Sequence, residues 1–246
     1  LGANVYKEGT TTPVLPEYAT FTAGGQKVAV IGVVTQDTPP LVKPDNVAGL
    51  TFGDPVDAVN RVADKLENLP AAYRPDIIIA EYHEGAAAVS SATTLQEKID
   101  EGGIFARIVT ETSAAVDAIF NGHTHQVYTW DGPVPGVDGA TRPIVSTGQY
   151  GTNVGKVVLS VGRDSGAVED YSMEIVNVVG FAGGRTIADM VDGNQTMEEI
   201  YGITLEALQV ADAEGAVPVG KITQTLSRDY TKGEYVDGKW QKGTTG

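Results

Sequence analysis

Two apolar segments separated by a helix-forming segment constrain the fold of this chain most strongly. Residues 27–34 (KVAVIGVV) and 77–80 (IIIA) are continuous apolar runs rich in β-branched residues, a pattern typical of strands buried on both faces. Between them, Asp54 and Pro55 supply a helix cap and a first-turn proline, and apolar residues recur at helical spacing as far as Leu69. The order strand, helix, strand predicts an α/β fold with a partly parallel sheet.

The middle of the chain predicts further elements of the same domain and an antiparallel addition. Residues 95–99 and 104–112 have helical spacing, and residues 116–120 (VDAIF) predict a third buried strand. Residues 154–161 and 168–176 alternate apolar and polar side chains around a turn, which predicts a β-hairpin.

The last quarter of the chain predicts a change of domain. Residues 196–213 have helical spacing with acidic residues between the apolar ones, and residues 217–226 have the composition of a strand. The tail from residue 231 is polar and glycine-rich, and we expect it to be frayed. We therefore predict three parts: a first domain at 1–190, a linker helix at 191–214, and the beginning of another domain at 215–246.

Charge and composition exclude several classes of function. The net charge is −15, with 32 acidic and 17 basic residues, so electrostatic binding to a nucleic-acid duplex is not expected. A phosphate substrate would need local cations, which bound metal ions would supply. The absence of cysteine excludes disulfides, thiolate metal ligands and cysteine nucleophiles. No apolar run reaches the roughly 18 residues of a membrane span.

The chain has only three histidines, and each follows a predicted buried strand. His83 follows the run at 77–80, and His123 and His125 follow the run at 116–120. Ligand sites in open α/β sheets form outside the carboxyl ends of the strands, so we expect the three imidazoles to face one crevice. Imidazole is the commonest metal ligand near neutral pH, and Zn, Mn, Fe, Co or Ni would accept it.

Local sequence adds detail to this candidate metal site. An extended His-x-His segment would place the imidazoles of His123 and His125 on one side, Gly122 permits close backbone approach, and Glu84 is a candidate supporting carboxylate. The alternative is that His83 is an ordinary hydrogen-bonded histidine and that His-x-His belongs to an ordinary strand. The joint placement of the three histidines favours the metal site.

Several segments resemble one protein family in the family's order. They are LGANVY from residue 1, KVAVIGVV from 27, GLTFGDPVDAV from 49, DIIIAEYHEG from 76, VDAIFNGHTH from 116 and IVSTGQYGTNVGKVVLSV from 144. These segments resemble the calcineurin-like metallophosphoesterase superfamily and, within it, the bacterial 5'-nucleotidase and UDP-sugar hydrolase family. The resemblance implies a two-sheet β-sandwich flanked by helices, present here only in part.

The same resemblance implies a cofactor and roles for the histidines. Two divalent metal ions, Zn, Mn or similar, are expected in the complete enzyme, with His83 and His123 on one ion and His125 on the other. The family's Asp-x-His and Gly-Asn-His-Glu motifs and its bridging aspartate have no counterpart in this sequence. The catalytic residues are therefore expected in a missing amino-terminal half, and this chain alone is expected to be inactive, with partial metal occupancy at most. Glu81 and Tyr82 also depart from the small and apolar residues that the family has before His83, which raises the question of how they pack.

The implied function is hydrolysis of nucleotide phosphate esters by a protein that is secreted, periplasmic or cell-wall associated. The alternatives are a 2',3'-cyclic phosphodiesterase or related ester hydrolase of the same superfamily, and a non-catalytic surface-binding module that retains the fold. The expected partner is a small nucleotide substrate, with no nucleic-acid duplex and no membrane span. The missing half, or self-association, is expected to cover an exposed sheet.

Overall fold

The computed structural model describes residues 1–163, 165–178, 189, 191–223, 234–236 and 239–241. The chain forms two compact units, Leu1–Gly183 and Gly184–Gly246. The division into parts at 1–190, 191–214 and 215–246 stays a prediction. No helix within the described ranges combines the length and the apolarity that crossing a membrane requires.

A six-stranded mixed sheet organises the first unit. Its strands are β2 (Tyr18–Ala23), β3 (Gln26–Val34), β5 (Ile77–His83), β6 (Ala118–Asn121), β7 (Val127–Pro133) and β8 (Thr141–Thr147), in the order β2-β3-β5-β6-β8-β7. The four central strands are parallel, and the two edge strands pair antiparallel with their neighbours. The prediction of a partly parallel sheet containing the apolar runs is confirmed. A small separate sheet pairs β1 (Val5–Lys7) with β4 (Leu50–Phe52).

Helices cover one face of the large sheet. They are α2 (Pro55–Glu67), α3 (Leu95–Asp100) and α4 (Gly103–Glu111). The short α1 (Thr38–Leu41) and a 3-10 turn at Pro44–Asn46 bury no residue. The Asp54 side chain caps α2 by accepting hydrogen bonds from the backbone N–H groups of Val56 and Asp57. The core joins α2 and α4 to the inward side chains of the sheet, among them Val59, Leu66, Ile108, Ile31, Ile78 and Ile119. Each such fully buried side chain contributes about 1.5–3 kcal/mol.

A second, two-stranded sheet lies against the other face of β8. Strands β9 (Asn153–Val161) and β10 (Val168–Asn177) form the predicted antiparallel hairpin. A Cβ atom on Gly155 would lie 2.8 Å from Thr147 Cγ2, so β9 approaches β8 closely. Residues of β9 alternate between half-buried and exposed, because only one face of the hairpin meets the large sheet. Two sheets with flanking helices are the predicted architecture.

The described part of the second unit contains a long helix and a short hairpin. Helix α5 (Gln195–Gly215) begins at Asn194, whose side chain accepts a hydrogen bond from Met197 N–H, as the helical spacing predicts. Residues 217–223 form no strand, contrary to the prediction for 217–226, since Val217, Val219 and Ile222 stay exposed; residues 224–226 lie outside the described residues. In the tail predicted to be frayed, β11 (Glu234–Val236) pairs with β12 (Lys239–Gln241).

Candidate functional site

The three histidines lie at the carboxyl ends of β5 and β6, as the sequence predicts. His83 is the last residue of β5, and His123 and His125 lie in the loop between β6 and β7. The ring centroids of His83 and His123 are 5.1 Å apart with an interplanar angle of 56°. The ring of His125 instead packs against Tyr150, at a centroid distance of 5.8 Å. The structure therefore brings two of the three imidazoles into direct contact and places the third beside an aromatic residue.

The loop that carries His123 and His125 is not extended, contrary to the prediction. The two histidines have φ angles of 66° and 60°, in the left-handed region that is uncommon for residues other than glycine. The N–H of Thr124 donates a 2.7 Å hydrogen bond to the carbonyl of Gly122, which closes a tight turn between them. Because left-handed residues with a Cβ carry strain of about 1–3 kcal/mol each, this loop holds its histidines at an energetic cost.

Short contacts hold the His123 loop against the turn that follows His83. The N–H of Gly122 donates to the carbonyl of Tyr82 at 2.9 Å, and Asn121 Nδ2 donates to the carbonyl of Glu84 at 2.8 Å. A Cβ atom on Gly85 would lie 2.9 Å from Tyr128 Oη and 3.1 Å from the carbonyl oxygen of Gly122. The absence of a side chain at Gly85 therefore lets the two segments meet.

Tyr82, which departs from the family pattern, packs away from the site. Successive side chains of a strand point to opposite faces, so Tyr82 is buried on the helical side while His83 is exposed on the other. The hydroxyls of Tyr82 and Thr112 are 2.8 Å apart, and burial raises the pKa of Tyr82. The large side chain thus anchors the end of β5 without occupying the site.

The electrostatics at His83 favour its neutral form. Partial burial and the neighbouring His123 lower the pKa of His83, with His125 contributing in the same direction and Glu84 opposing. Glu84 is buried, and its carboxylate accepts a 3.1 Å hydrogen bond from the N–H of Gly85. A neutral imidazole is the form that binds metal ions, so the environment prepares His83 for that role.

The donor set of the described residues fits one divalent ion in part. Two imidazoles that bind one tetrahedral ion through nitrogens at about 2.0–2.1 Å have ring centres roughly 5 Å apart, close to the observed 5.1 Å for His83 and His123. Two buried polar atoms beside them, Asn121 Oδ1 and Thr124 Oγ1, have no hydrogen-bond partner. Among the residues that the structure describes, no three His, Cys, Asp or Glu side chains are grouped as a complete metal site. The assignment of all three histidines as ligands stays a prediction.

A cavity of about 400 Å³ opens at the same edge of the sheet. It is lined by residues of β3, β5 and β6, including His83, Asn121 and Gly32, and by Leu1. Sequence reasoning identified His83 as a residue of this site. It missed Asn121, and it also missed Tyr150, which packs against the neighbouring His125. Asn121 could have been recognised as an amide at the end of a buried strand. Tyr150 is 89% exposed with a φ of 55°, and nothing in its sequence neighbourhood predicts the contact with His125.

Sequence comparison relates the chain to named phosphoesterases and nucleases. Endonuclease YhcR of Bacillus subtilis is 31% identical over 176 residues, which are 72% of this chain and 13% of that protein. A 5'-nucleotidase of Vibrio cholerae is 29% identical over 133 residues, which are 54% of this chain and 23% of the relative. The chain thus spans less than a quarter of either relative. No protein-family model matches the sequence.

Structural comparison shows the same fold. The calcineurin-like phosphoesterase YfkN from Bacillus subtilis superposes with a TM-score of 0.51 at 20% sequence identity, covering 73% of this chain and 56% of that one. At this level of identity the likeness concerns the fold, and it agrees with the two sheets and flanking helices described above.

Proposed function

Because this chain belongs to the 5'-nucleotidase family of calcineurin-like phosphoesterases, we propose that it carries one half of a metal-dependent site for the hydrolysis of nucleotide phosphate esters. The observation that carries this proposal is the 5.1 Å contact between the His83 and His123 rings. These rings come from neighbouring parallel strands, at the sheet edge where α/β proteins bind ligands.

Each histidine has a distinct role in this proposal. His83 and His123 would hold one divalent ion between them, and the surroundings of His83 lower its pKa and favour its neutral imidazole. His125 serves a second ion or the substrate at the Tyr150 side. A divalent ion held there would supply positive charge for phosphoryl oxygens and would lower the pKa of a bound water. In a chain with a net charge of −15, that local charge is needed to attract a phosphate ester.

Metal binding is the first test, and the small number of histidines makes it specific. Three histidines give three sets of imidazole signals in ¹H–¹³C NMR spectra. Titration with Zn²⁺ is expected to shift the signals of His83 and His123 together. A His83→Ala variant is expected to weaken Zn²⁺ binding at least tenfold, because it removes a ligand. The matched control is Tyr73→Ala, an exposed residue beyond the opposite end of β5. Unchanged imidazole signals at saturating Zn²⁺ would refute the proposal.

Hydrolysis is the second test, and the chain alone is proposed to be silent. Among the described residues, no three His, Cys, Asp or Glu side chains are grouped so that they could hold a metal ion. We therefore expect no turnover of 5'-AMP or bis(p-nitrophenyl) phosphate with added Mn²⁺ or Zn²⁺. Turnover that disappears in His123→Ala would show that this chain is itself the enzyme. The same substrates should also be assayed with a protein extended at the amino terminus. Turnover by the extended protein would indicate a nucleotidase, whereas binding without turnover would indicate a binding module.

The partner proposal concerns an apolar cleft of about 750 Å³ on the non-helical face of the large sheet. The cleft lies between the β2, β3 and β5 strands and the β9–β10 hairpin, and it is lined by Phe21, Val28, Ile77, Ile79, Val157 and Leu159. We propose that an amino-terminal part of the protein covers this face and that the chain alone self-associates through it. A mass of 25.7 kDa, the monomer mass, measured by light scattering across a concentration series would contradict this self-association.

We also propose that the protein is exported from the cytoplasm. Fractionation of cells tests this location.

A further inference from the structure

Asn121 connects the two segments that carry the paired histidines. It is the last residue of β6 and lies opposite Tyr82 of β5 in the parallel register. Its Nδ2 donates to the carbonyl of Glu84 at 2.8 Å. Glu84 directly follows His83, and Asn121 lies two residues before His123. This side-chain hydrogen bond therefore joins the residue after His83 to the strand that leads into His123.

The orientation of the Asn121 amide follows from its partner. A carbonyl oxygen only accepts hydrogen bonds, so the NH₂ group of the amide must face Glu84. The other end, Oδ1, is then an acceptor, and it is buried without a hydrogen-bond partner. A buried unsatisfied acceptor costs about 1–3 kcal/mol. Asn121 also lines the cavity that His83 lines, so the residue that bears this unsatisfied acceptor belongs to the candidate site.

A second asparagine in the same unit shows what a purely structural clamp looks like. Asn60 Nδ2 donates to the carbonyl of Glu111 at 2.8 Å, and its Oδ1 accepts from the N–H of Ser113 at 2.7 Å. Both ends of that amide are satisfied, and it joins α2 to the end of α4, away from the histidines. Asn121 makes a donor bond of the same length but leaves its acceptor unused. Stability alone explains Asn60 and leaves the acceptor of Asn121 unexplained.

We propose that Asn121 is a positioning residue that sets the spacing of the His83 and His123 imidazoles and thereby the affinity of the site for a divalent ion. The metal part of this inference rests on the proposed function. Without the bond to Glu84, the Gly122 N–H still donates to the carbonyls of Tyr82 at 2.9 Å and Glu84 at 3.4 Å. Farther along, Ala86 N–H and Val89 N–H still donate to Tyr128 Oη and Gln126 Oε1. The side-chain link from the end of β6 to the residue next to His83 is lost. The imidazole spacing then widens and becomes variable. Supporting groups around metal ligands of this kind typically change metal affinity 10–100-fold.

The test compares Asn121→Ala with Asn60→Ala in the full chain, using Zn²⁺ as the probe. Asn121→Ala is expected to weaken Zn²⁺ binding by about 10–100-fold and to shift the His83 and His123 imidazole signals of the metal-free protein, leaving the His125 signal in place. Asn60→Ala is expected to lower thermal stability and leave Zn²⁺ affinity and all three signals unchanged. Asn121→Thr serves as a second variant, because a β-branched residue suits a strand but is too short to reach Glu84.

Two results would overturn the inference. One is a loss of Zn²⁺ affinity in Asn121→Ala and Asn121→Thr no larger than in Asn60→Ala. The other is an unchanged pair of His83 and His123 signals in the metal-free variants. The second result is independent of metal, so it separates a failure of the positioning role from a failure of the proposed function. If the unsubstituted chain ignores Zn²⁺ while the variants still shift these two signals, the proposed function fails and the positioning role survives.

Discussion

The two ends of the parallel strands use polar residues in opposite ways. At the amino ends, the aspartates that precede β5 and β6 each pair with the neighbouring strand: Asp76 accepts from Lys27 N–H at 2.7 Å, and Asp117 accepts from Ile78 N–H at 2.8 Å. Arg142 donates to three backbone carbonyls at the same end. At the carboxyl ends, Asn121 and Thr124 keep buried oxygens without partners.

The backbone follows the same division. Of the described non-glycine residues with positive φ, three of four, His123, His125 and Tyr150, lie at the carboxyl-end site. Strained backbone and unsatisfied polar atoms both cost stability. Among the described residues, two of the three buried side-chain atoms without a partner lie at the carboxyl ends, and the third, Arg142 Nε, lies at the amino ends. The proposed function would account for this division, with backbone groups satisfied at the amino ends and a ligand site at the carboxyl ends. Substitutions at the two ends should separate these properties.

The largest expected effect is at Arg142, on the amino end. Its buried guanidinium donates to the carbonyls of Thr112, Ser113 and Val116, although its Nε has no partner. Arg142→Leu leaves those carbonyls without a donor and is expected to lower the free energy of unfolding by about 3–5 kcal/mol, measured by urea denaturation. Zn²⁺ affinity of the folded variant should not change. The exposed Arg74→Leu is the control, and an equal loss there would contradict the role of burial.

Asp117 gives the next effect, which depends on pH. Burial raises the pKa of Asp117 from 3.8 to about 6, so the folded state prefers the protonated carboxyl. The contribution of Asp117 to the free energy of unfolding is therefore fully present below about pH 4 and is lost as the pH rises through about 6. Asp117→Asn keeps an acceptor for Ile78 N–H and is expected to raise the free energy of unfolding at pH 7, by at most about 3 kcal/mol.

The measurement for Asp117 is urea denaturation from pH 4 to pH 8. The gain of Asp117→Asn over the unsubstituted chain should grow with pH and level off above pH 6. The exposed Asp76→Asn, which removes the equivalent carboxylate beside Lys27 N–H, is expected to show a smaller change. A gain for Asp117→Asn that is largest at pH 4 would reverse the sign and reject this explanation.

Gly85 carries the corresponding prediction for the carboxyl end. A Cβ there would press on Tyr128 Oη and on the carbonyl of Gly122. Gly85→Ala is expected to cost about 1–2 kcal/mol of stability and to weaken Zn²⁺ binding by pushing the His123 loop away from His83. Gly202→Ala, where the added methyl group meets no atom within 4 Å, should not weaken Zn²⁺ binding. A Gly85→Ala variant that loses stability and keeps full Zn²⁺ affinity would show that loop spacing does not govern the site.

Sequence reasoning predicted the elements that periodicity determines. The apolar runs became β3, β5 and β6, the capped amphipathic segment became α2, and the alternating segments became the β9–β10 hairpin. The position of the histidines at strand ends followed from the same periodicity. Their proximity could be expected because parallel strands end at a common edge.

The remaining features depend on contacts that periodicity does not encode. The left-handed turns at His123 and His125 are local exceptions to the residue preferences on which prediction relies. The hydrogen bond from Asn121 to Glu84 joins residues 37 positions apart. The predicted strand at 217–226 failed over 217–223 because β-branched residues form a strand only where a partner strand is available.

The smallest predicted effect separates backbone strain from side-chain chemistry at position 125. His125 has a φ of 60°, so a Cβ is unfavourable there and glycine is not penalised. His125→Ala and His125→Gly both remove the imidazole, and both should weaken any Zn²⁺ binding by His125 equally. The glycine variant should nevertheless be more stable than the alanine variant by about 1 kcal/mol. If the alanine variant is the more stable of the two, the loop is not left-handed at this residue. The concentration of positive-φ residues at the carboxyl ends of the strands would then rest on two residues and not on three.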